Sequence, residues 1–169
     1  MENYNNLRVA FFCLFSSILL VGCEPAAPPS SSDYLGAEYL ANPADLEQEV
    51  DRNGVAFQKK YSGKYIFVIG GVDGIEPDHF SVAREYQYYN KDVGMYVPQT
   101  AKVGCGVRSD KKGGLSNLTE GQGIIVAGKV DFKAGGIFDP INLDDCVWVP
   151  ANGSYTLESA KTALQTALK

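Results

Sequence analysis

The stretch that decides the fold is residues 63–75, with the sequence GKYIFVIGGVDGI. From Tyr65 to Gly71 it consists of aromatic residues, β-branched residues and glycine, the composition of a strand buried on at least one face. The pair Gly70 and Gly71 lies inside this run, and glycine inside a strand marks a bulge or a sharp bend. A strand that bends in its middle can belong to two sheets, so we expect it to begin a small closed barrel.

The length and composition of the chain favour one mainly β domain with appendages. Its 169 residues are enough to bury a core, and 18 glycines with 10 tyrosines favour short strands and turns over a helical bundle. The formal net charge of -5 is unsuited to neutralising phosphates or to binding anionic lipid. The sequence therefore predicts that nucleic acid is not a partner.

The N-terminus has the pattern of an exported protein. Residues 9–21 form an almost wholly apolar run of thirteen residues, too short to cross a bilayer as a helix but suited to a signal peptide. The run ends in LVGC at positions 20–23, which resembles the lipobox of bacterial lipoproteins. The resemblance implies cleavage before Cys23, lipidation of Cys23 and anchoring in the membrane; Glu24, in place of aspartate, then points to the outer membrane. The alternatives are an uncleaved anchor or a leader that merely holds a cysteine.

The two cysteines beyond the lipobox are predicted to pair. Cys13 would leave with the leader and Cys23 would carry lipid, so that Cys105 and Cys146 remain. Two cysteines in an exported domain usually form a disulfide, and a loop of ~40 residues would gain roughly 3–4 kcal/mol from it. The alternative is two buried free thiols.

The pattern along the chain predicts two helices that flank five strands. Asn42 and Pro43 begin the first helix, and the alternative is two shorter helices interrupted at Asn53-Gly54. A narrow apolar stripe marks the C-terminal helix, which must dock on the domain or on a partner. The second strand is followed by a tyrosine-rich loop or ragged hairpin. The predicted elements are a helix at 42–61, a first strand within 63–75, strands at 80–86, 102–108, 124–133 and 137–149 (the last with a bulge near Asp144-Asp145), a helical turn at 115–120 and a helix at 156–168.

This order resembles the oligonucleotide/oligosaccharide-binding (OB) fold, a five-stranded barrel. Segments such as KYSGK at 60–64, LTEGQ at 118–122 and LDDC at 143–146 also resemble, in order and spacing, the tRNA_anti-like OB-fold domains, small bacterial domains of unknown function. The family name records a likeness of fold, and function does not transfer with it. The OB strand order, 1-2-3-5-4-1, implies that the strands carrying Cys105 and Cys146 are neighbours. The implied domains are 1–22, signal peptide; 23–41, lipidated cysteine and Pro/Ser tether; 42–150, OB-fold with its N-terminal helix; and 151–169, C-terminal helix.

Catalytic and metal-binding chemistry is not predicted. The only histidine, His79, lies beside a turn with Glu76 and Asp78, and the turn explains these residues best. The sequence contains no nucleophile elbow, zinc-protease motif or phosphate loop. The spacing of Asp139, Asp144 and Asp145 fits no calcium loop. We therefore expect no enzyme activity, no metal and no cofactor.

The candidate binding surface is aromatic. Tyrosines combine apolar area with a polar tip and suit a protein or glycan surface, and Arg84, Lys91 and Arg108 could frame them. The alternative is that Tyr86 and Tyr96 cap the barrel while the rest lie on a loop. The predicted contact residues are Phe80, Tyr86, Tyr88, Tyr89 and Tyr96.

These observations predict an outer-membrane lipoprotein whose domain faces the periplasm. Its expected function is that of a non-catalytic binding module for an envelope protein or peptide. A second hypothesis is an inhibitor of a periplasmic or foreign hydrolase, since small anchored β-barrels with one disulfide suit that task. A third is an envelope hydrolase with an unrecognised acid pair.

Overall fold

The protein is described by a computed structural model that covers residues 27–134 and 140–169. The predicted signal peptide, Cys13, Cys23, Glu24 and Asp139 lie outside the described residues. Within those ranges no helix is long and apolar enough to span a membrane. The elements in chain order are α1 (Ser31–Leu35), β1 (Leu40–Ala41), α2 (Pro43–Tyr61), β2 (Tyr65–Ile75), β3 (His79–Asn90), β4 (Met95–Val107), a 3₁₀ segment (Ser109–Asn117), β5 (Gly123–Asp131), β6 (Ile141–Pro150) and α3 (Leu157–Ala167).

The six strands form a single sheet in the order β1-β2-β3-β4-β6-β5, and a further pairing of β2 with β5 closes five of them into a ring. Numbered without β1, this is the predicted strand order. The short parallel strand β1, beside Phe67 and Val68 of β2, was not predicted. The sequence gives it little signal, because it contains only two residues.

The bent strand β2 serves two partners, as its glycines indicate. It pairs with β5 from Tyr65 to Gly71 and with β3 from Gly71 to Ile75. At Gly70 an added Cβ would lie 2.6 Å from Cγ1 of Val82 and 2.8 Å from the carbonyl oxygen of Ala83. The absence of a side chain at Gly70 therefore allows β3 to pack closely against the bend.

One apolar core fills the ring. The inward residues of β5 alternate along the strand as predicted, and α2 covers the core with aromatic rings. Phe57 of α2 packs edge-on against Phe132 at a centroid distance of 4.8 Å. The largest fully buried members of this core are Leu46, Phe57, Ile66, Val68, Phe80, Ile124, Phe132 and Leu143.

A second core lies on the outside of the ring, beneath α1 and α3. Tyr34 of α1 is fully buried, packs edge-on against Tyr65 at 5.0 Å and donates a hydrogen bond of 2.6 Å to the carbonyl oxygen of Asp145. Residues 31–41 therefore belong to the folded body, and their assignment to the tether predicted for 23–41 was wrong. An α1 of five residues is too short to show an apolar period. The other buried members are Ala37, Phe67, Ile125, Ala127, Val147, Val149, Ala160 and Leu164.

Both helix predictions are supported in detail. The Asn42 side chain caps α2 by accepting a hydrogen bond of 3.0 Å from the Asp45 amide. Asn53 is non-helical, with φ -167° and ψ 89°, so α2 is kinked at the predicted place. The Asn53 side chain accepts from the Ala56 amide at 3.0 Å and caps the second half of the helix. The α3 helix docks on the second core through Ala160 and Leu164.

The two cysteines meet as predicted. β4 and β6 are parallel neighbours, and Cys105 and Cys146 form a disulfide with a Cα–Cα distance of 5.8 Å. The predicted bulge is also present, because the register of β6 against β5 shifts at this point and Asp145 has a φ of 55°. An added Cβ on Gly128 would lie 2.9 Å from the Cys146 sulfur, so β5 also requires glycine here.

Candidate functional site

The segment predicted as a loop or ragged hairpin is a regular hairpin that projects from the ring. β3 and β4 pair without a break from His79 opposite Gly106 to Asn90 opposite Met95. The turn between them is closed by a hydrogen bond of 2.9 Å from the Gly94 amide to the Asn90 carbonyl. The pairing of β2 with β3 ends at Ala83, and that of β4 with β6 begins at Val103. Residues 84–102, called here the tyrosine hairpin, therefore extend beyond the ring.

The predicted aromatic residues do not form one surface. Side chains alternate between faces along a strand, and directly opposed residues share a face. Phe80, Tyr86 and Tyr88 therefore lie on the inner face, whereas Tyr89 and Tyr96 lie on the outer face. Phe80 is fully buried and packs edge-on against Trp148 at 5.2 Å, so it is a core residue. Its inclusion in the binding surface was wrong, because the alternation that buries Val82 buries Phe80 as well.

The outer face carries an exposed tyrosine pair. Tyr89 and Tyr96 are directly opposed, with ring centroids 5.2 Å apart, and are 47% and 67% exposed. An exposure of 67% also contradicts the alternative in which Tyr96 caps the barrel. Val93 and Met95 at the tip are more than half exposed and were missed by the sequence analysis. Gly94 could have indicated their position, because a turn at this glycine places Val93 and Met95 at the end of a hairpin.

The inner face is flanked by the carboxylates of α2. Tyr86 donates a hydrogen bond of 2.9 Å to Oε1 of Gln99, the residue opposite it. Partial burial raises the pKa of Tyr86, and the nearby carboxylates of Glu47 and Asp51 raise it further. Burial and the neighbouring Asp51 likewise raise the pKa of Glu47. A ligand on this face would therefore meet negative charge beside the tyrosines.

Only two of the three basic residues that could frame the tyrosines lie on the tyrosine hairpin. Arg84 and Lys91 are exposed on the hairpin. Lys102 lies at its base and forms an ion pair of 2.6 Å with Asp73. Arg108 follows the opposite end of β4, where it donates to Oδ2 of Asp110 at 2.8 Å and to the carbonyl oxygen of Pro29 at 3.1 Å. Arg108 therefore holds the N-terminal segment and does not frame the tyrosines.

The residues around the single histidine come together at the surface. His79 lies 3.1 Å from Oε1 of Glu76 through Nε2 and 2.9 Å from Oδ1 of Asp78 through Nδ1. The hydrogen bond to Asp78 raises the pKa of His79. Within residues 27–134 and 140–169, no group of three or more His, Cys, Asp or Glu residues could hold a metal ion.

Comparison with known proteins identifies the fold. No family model matches the sequence, and no curated protein matches it. A solved lipoprotein from Klebsiella pneumoniae, to which nucleic acid binding has been attributed, matches with a TM-score of 0.50 and 16% identity over 72% of this chain and 98% of its own. A single-stranded DNA-binding protein from Streptomyces coelicolor matches with a TM-score of 0.35 and 13% identity over 53% of this chain and 94% of its own. A single-stranded DNA-binding protein from Plasmodium falciparum matches with a TM-score of 0.34 and 16% identity over 52% of this chain and 94% of its own.

The chain shares the OB-type fold of the Klebsiella pneumoniae lipoprotein. The match to the Klebsiella pneumoniae lipoprotein contradicts the prediction that nucleic acid is not a partner, because nucleic acid binding has been attributed to that protein. That prediction used the net charge of the whole chain. Binding of a single strand depends instead on the local surface and on aromatic stacking, which net charge does not measure.

Proposed function

We propose that this protein is a non-catalytic binding module of the bacterial envelope, built on a five-stranded OB barrel, and that the tyrosine hairpin is its contact surface. The observation that carries the proposal is the exposure of Tyr88, Tyr89, Tyr96 and Met95 on an element that extends beyond the core. Large apolar side chains on a projecting hairpin contribute little to the fold. They are the residue types that protein interfaces favour.

The charges on the hairpin favour a protein or peptide as the ligand. The tyrosine hairpin contains three basic residues and two acidic ones, Glu85 and Asp92, and Glu47 and Asp51 of α2 add negative charge beside the inner face. Aromatic residues surrounded by charges of both signs suit contact with a protein surface better than contact with the phosphates of a nucleic acid.

A single-stranded nucleic acid is the second candidate ligand. The outer face, with Tyr89 and Tyr96, lies on the side of the hairpin away from Glu47 and Asp51. Bases stack on exposed aromatic rings with little sequence preference. The shared fold supports testing this ligand directly.

The test of the hairpin compares Tyr89→Ala/Tyr96→Ala with Val55→Ala, an exposed apolar residue on α2 that serves as a matched control. Tagged full-length proteins are cross-linked in cells, and the partners are identified by mass spectrometry. We expect one envelope protein with the wild type and with Val55→Ala, and its loss with the tyrosine variant. Equal recovery with all three proteins would contradict the assignment of the hairpin, and a recovered hydrolase that is inhibited by the purified protein would favour the inhibitor hypothesis.

Nucleic acid binding is tested on the same proteins with a fluorescein-labelled oligothymidine. Binding that weakens steeply with salt and is lost in Tyr89→Ala/Tyr96→Ala would favour the second candidate, because phosphate contacts release counterions. No change in fluorescence anisotropy at low salt would exclude single-stranded DNA as the ligand of this surface.

The proposed anchor is a lipid on Cys23. Two or three acyl chains hold a protein stably on a membrane, since each buried methylene contributes about 0.8 kcal/mol. We expect metabolic labelling with palmitate and recovery in the outer-membrane fraction for the wild type, and loss of both for Cys23→Ser. Labelling that survives in Cys23→Ser would refute lipidation at this residue.

A further inference from the structure

Within the described residues, one edge of β3 in the tyrosine hairpin has no neighbouring strand. Beyond Ala83, β3 pairs only with β4 among the residues that the structure describes. Glu85, Gln87 and Tyr89 in this part of the strand are all exposed. An exposed strand edge presents backbone N–H and C=O groups that can pair with another chain. The inference drawn from this edge rests on the proposed function and specifies its ligand.

The two edges of the hairpin differ. β4 carries Pro98, which has no backbone N–H to donate, directly opposite Gln87 of β3. Proline on an edge strand is a device that blocks pairing with another chain. The free part of β3, residues 84–90, contains no proline. The edge of β3 is therefore the one open to a partner.

Pro98 also shows which groups of β3 point outward. Within a sheet, proline is accommodated where its nitrogen faces away from the ladder. Opposed residues in an antiparallel pair alternate between hydrogen-bonded and non-hydrogen-bonded positions. Gln87 and Pro98 therefore form a non-hydrogen-bonded pair, and the N–H and C=O of Gln87 point away from β4. Glu85 and Tyr89 lie two residues from Gln87 on either side, so their N–H and C=O groups also point away from β4. The open edge therefore offers the backbone donors and acceptors of three residues.

We propose that an extended peptide segment of a partner protein pairs with β3 along Glu85–Tyr89 and adds a strand to the hairpin. Main-chain hydrogen bonds would provide affinity, and alternate side chains of the added strand would provide specificity. On one face these side chains would join Tyr89 and Tyr96, which favours apolar or aromatic residues. On the other they would lie on the side of Tyr86 and Tyr88, where the carboxylates of α2 favour lysine or arginine.

The test uses a linear 12-residue random peptide library displayed on phage and selected on the full folded domain. Enriched peptides are synthesised, and their dissociation constants are measured for the wild type, Gln87→Pro and Gln87→Ala. Gln87→Pro removes an outward N–H without breaking the ladder to β4, whereas Gln87→Ala alters only the side chain. We expect a loss of affinity of at least about tenfold for Gln87→Pro and less than about twofold for Gln87→Ala.

A scan of N-methyl groups along the peptide provides a second measurement that leaves the protein unchanged. A strand added to one edge has only alternate N–H groups facing that edge. We therefore expect N-methylation to weaken binding at every second peptide position and to leave the positions between them nearly unchanged. This scan tests the proposal even if Gln87→Pro destabilises the protein.

The outcomes separate this inference from the proposed function. Binding that depends on Tyr89 and Tyr96 but is insensitive to N-methylation would overturn strand addition and leave the hairpin as the contact surface. A library that yields no hairpin-dependent peptide would also overturn the inference, and the cross-linking and oligothymidine measurements would then decide the proposed function. A dimer that Gln87→Pro converts to monomer would assign the edge to a second copy of this chain, contrary to the proposal.

Discussion

The base and the tip of the β3–β4 hairpin differ in what surrounds the same two strands. At the base, Phe80 and Cys105 are directly opposed and almost fully buried. At the tip, Tyr89 and Tyr96 are also directly opposed, with about half or more of each side chain exposed. Pairing and alternation are the same at both ends, and the tip differs only in that no other strand of the described residues pairs with it. Backbone pairing therefore shapes the whole hairpin, whereas apolar burial stabilises only its base.

The largest predicted change in stability comes from a substitution at the base of the hairpin. Phe80→Ala removes a fully buried ring that contacts Trp148, and we expect it to lower the free energy of unfolding by about 3–5 kcal/mol. Urea denaturation of the purified domain measures this loss. A loss similar to that of Tyr96→Ala would show that base and tip do not differ in stability as described.

The disulfide gives the next largest effect. Cys105→Ala/Cys146→Ala opens a loop with a sequence separation of 41, and we expect a loss of about 2–4 kcal/mol in the free energy of unfolding. Thermal denaturation with and without reductant measures it. The wild type should approach the stability of the double variant when reduced, while the variant should not respond to reductant. A response of the variant would mean that the reductant acts elsewhere.

The third effect is a loss of stability at alkaline pH, which we expect from the buried side chain of Tyr34. Burial raises the pKa of Tyr34 from 10.0 to about 12, so the folded state holds the phenolic proton more tightly than the unfolded chain. This stabilisation is complete below pH 10 and is lost as the pH rises towards 12. We expect a decline on the order of 1–2 kcal/mol over that interval, which Tyr34→Phe should lack.

The comparison for Tyr34 is made by urea denaturation of both proteins at several pH values. Other partly buried tyrosines, Tyr61 and Tyr65 among them, also have raised pKa values, so the difference between the two proteins is the relevant quantity. Parallel declines in the wild type and Tyr34→Phe would show that Tyr34 does not cause the effect.

The smallest effect belongs to the tip. Tyr89→Ala/Tyr96→Ala removes one exposed edge-to-face pair, and we expect a change below about 1 kcal/mol in the free energy of unfolding. The same variant should lose ligand binding, so that binding and stability separate at the tip but not at the base. A loss of several kcal/mol would instead assign these tyrosines to the core.

The ring was predictable because its residues repeat a simple pattern. Gly70 and Gly71 identified the bend of β2, the alternation from Ile124 to Phe132 identified the inward face of β5, and the phase slip before Cys146 identified the bulge. Each of these signals is local in sequence, and each corresponds to a backbone requirement that few residue types satisfy.

The surface was less predictable, since it depends on contacts between distant segments. Phe80 and Tyr86 look alike in sequence, and only the point at which β2 leaves β3 makes one a core residue and the other part of a surface. Tyr34 is buried because α1 meets Asp145, 111 residues away. The edge of β3 was not recognisable, because whether a strand has a neighbour is a property of the sheet.

The contact between Arg108 and Pro29 restricts how the protein can sit on a membrane. An acylated Cys23 would be six residues from Pro29, and a chain of six residues reaches at most ~20 Å. Pro29 is held beside the end of β4 that is opposite to the turn, and the thirteen residues of β4 run roughly 40 Å from there. If Cys23 is acylated as proposed, the body of the protein would lie near the lipid headgroups, and the tyrosines at the tip of the hairpin would lie about the length of β4 farther from the bilayer.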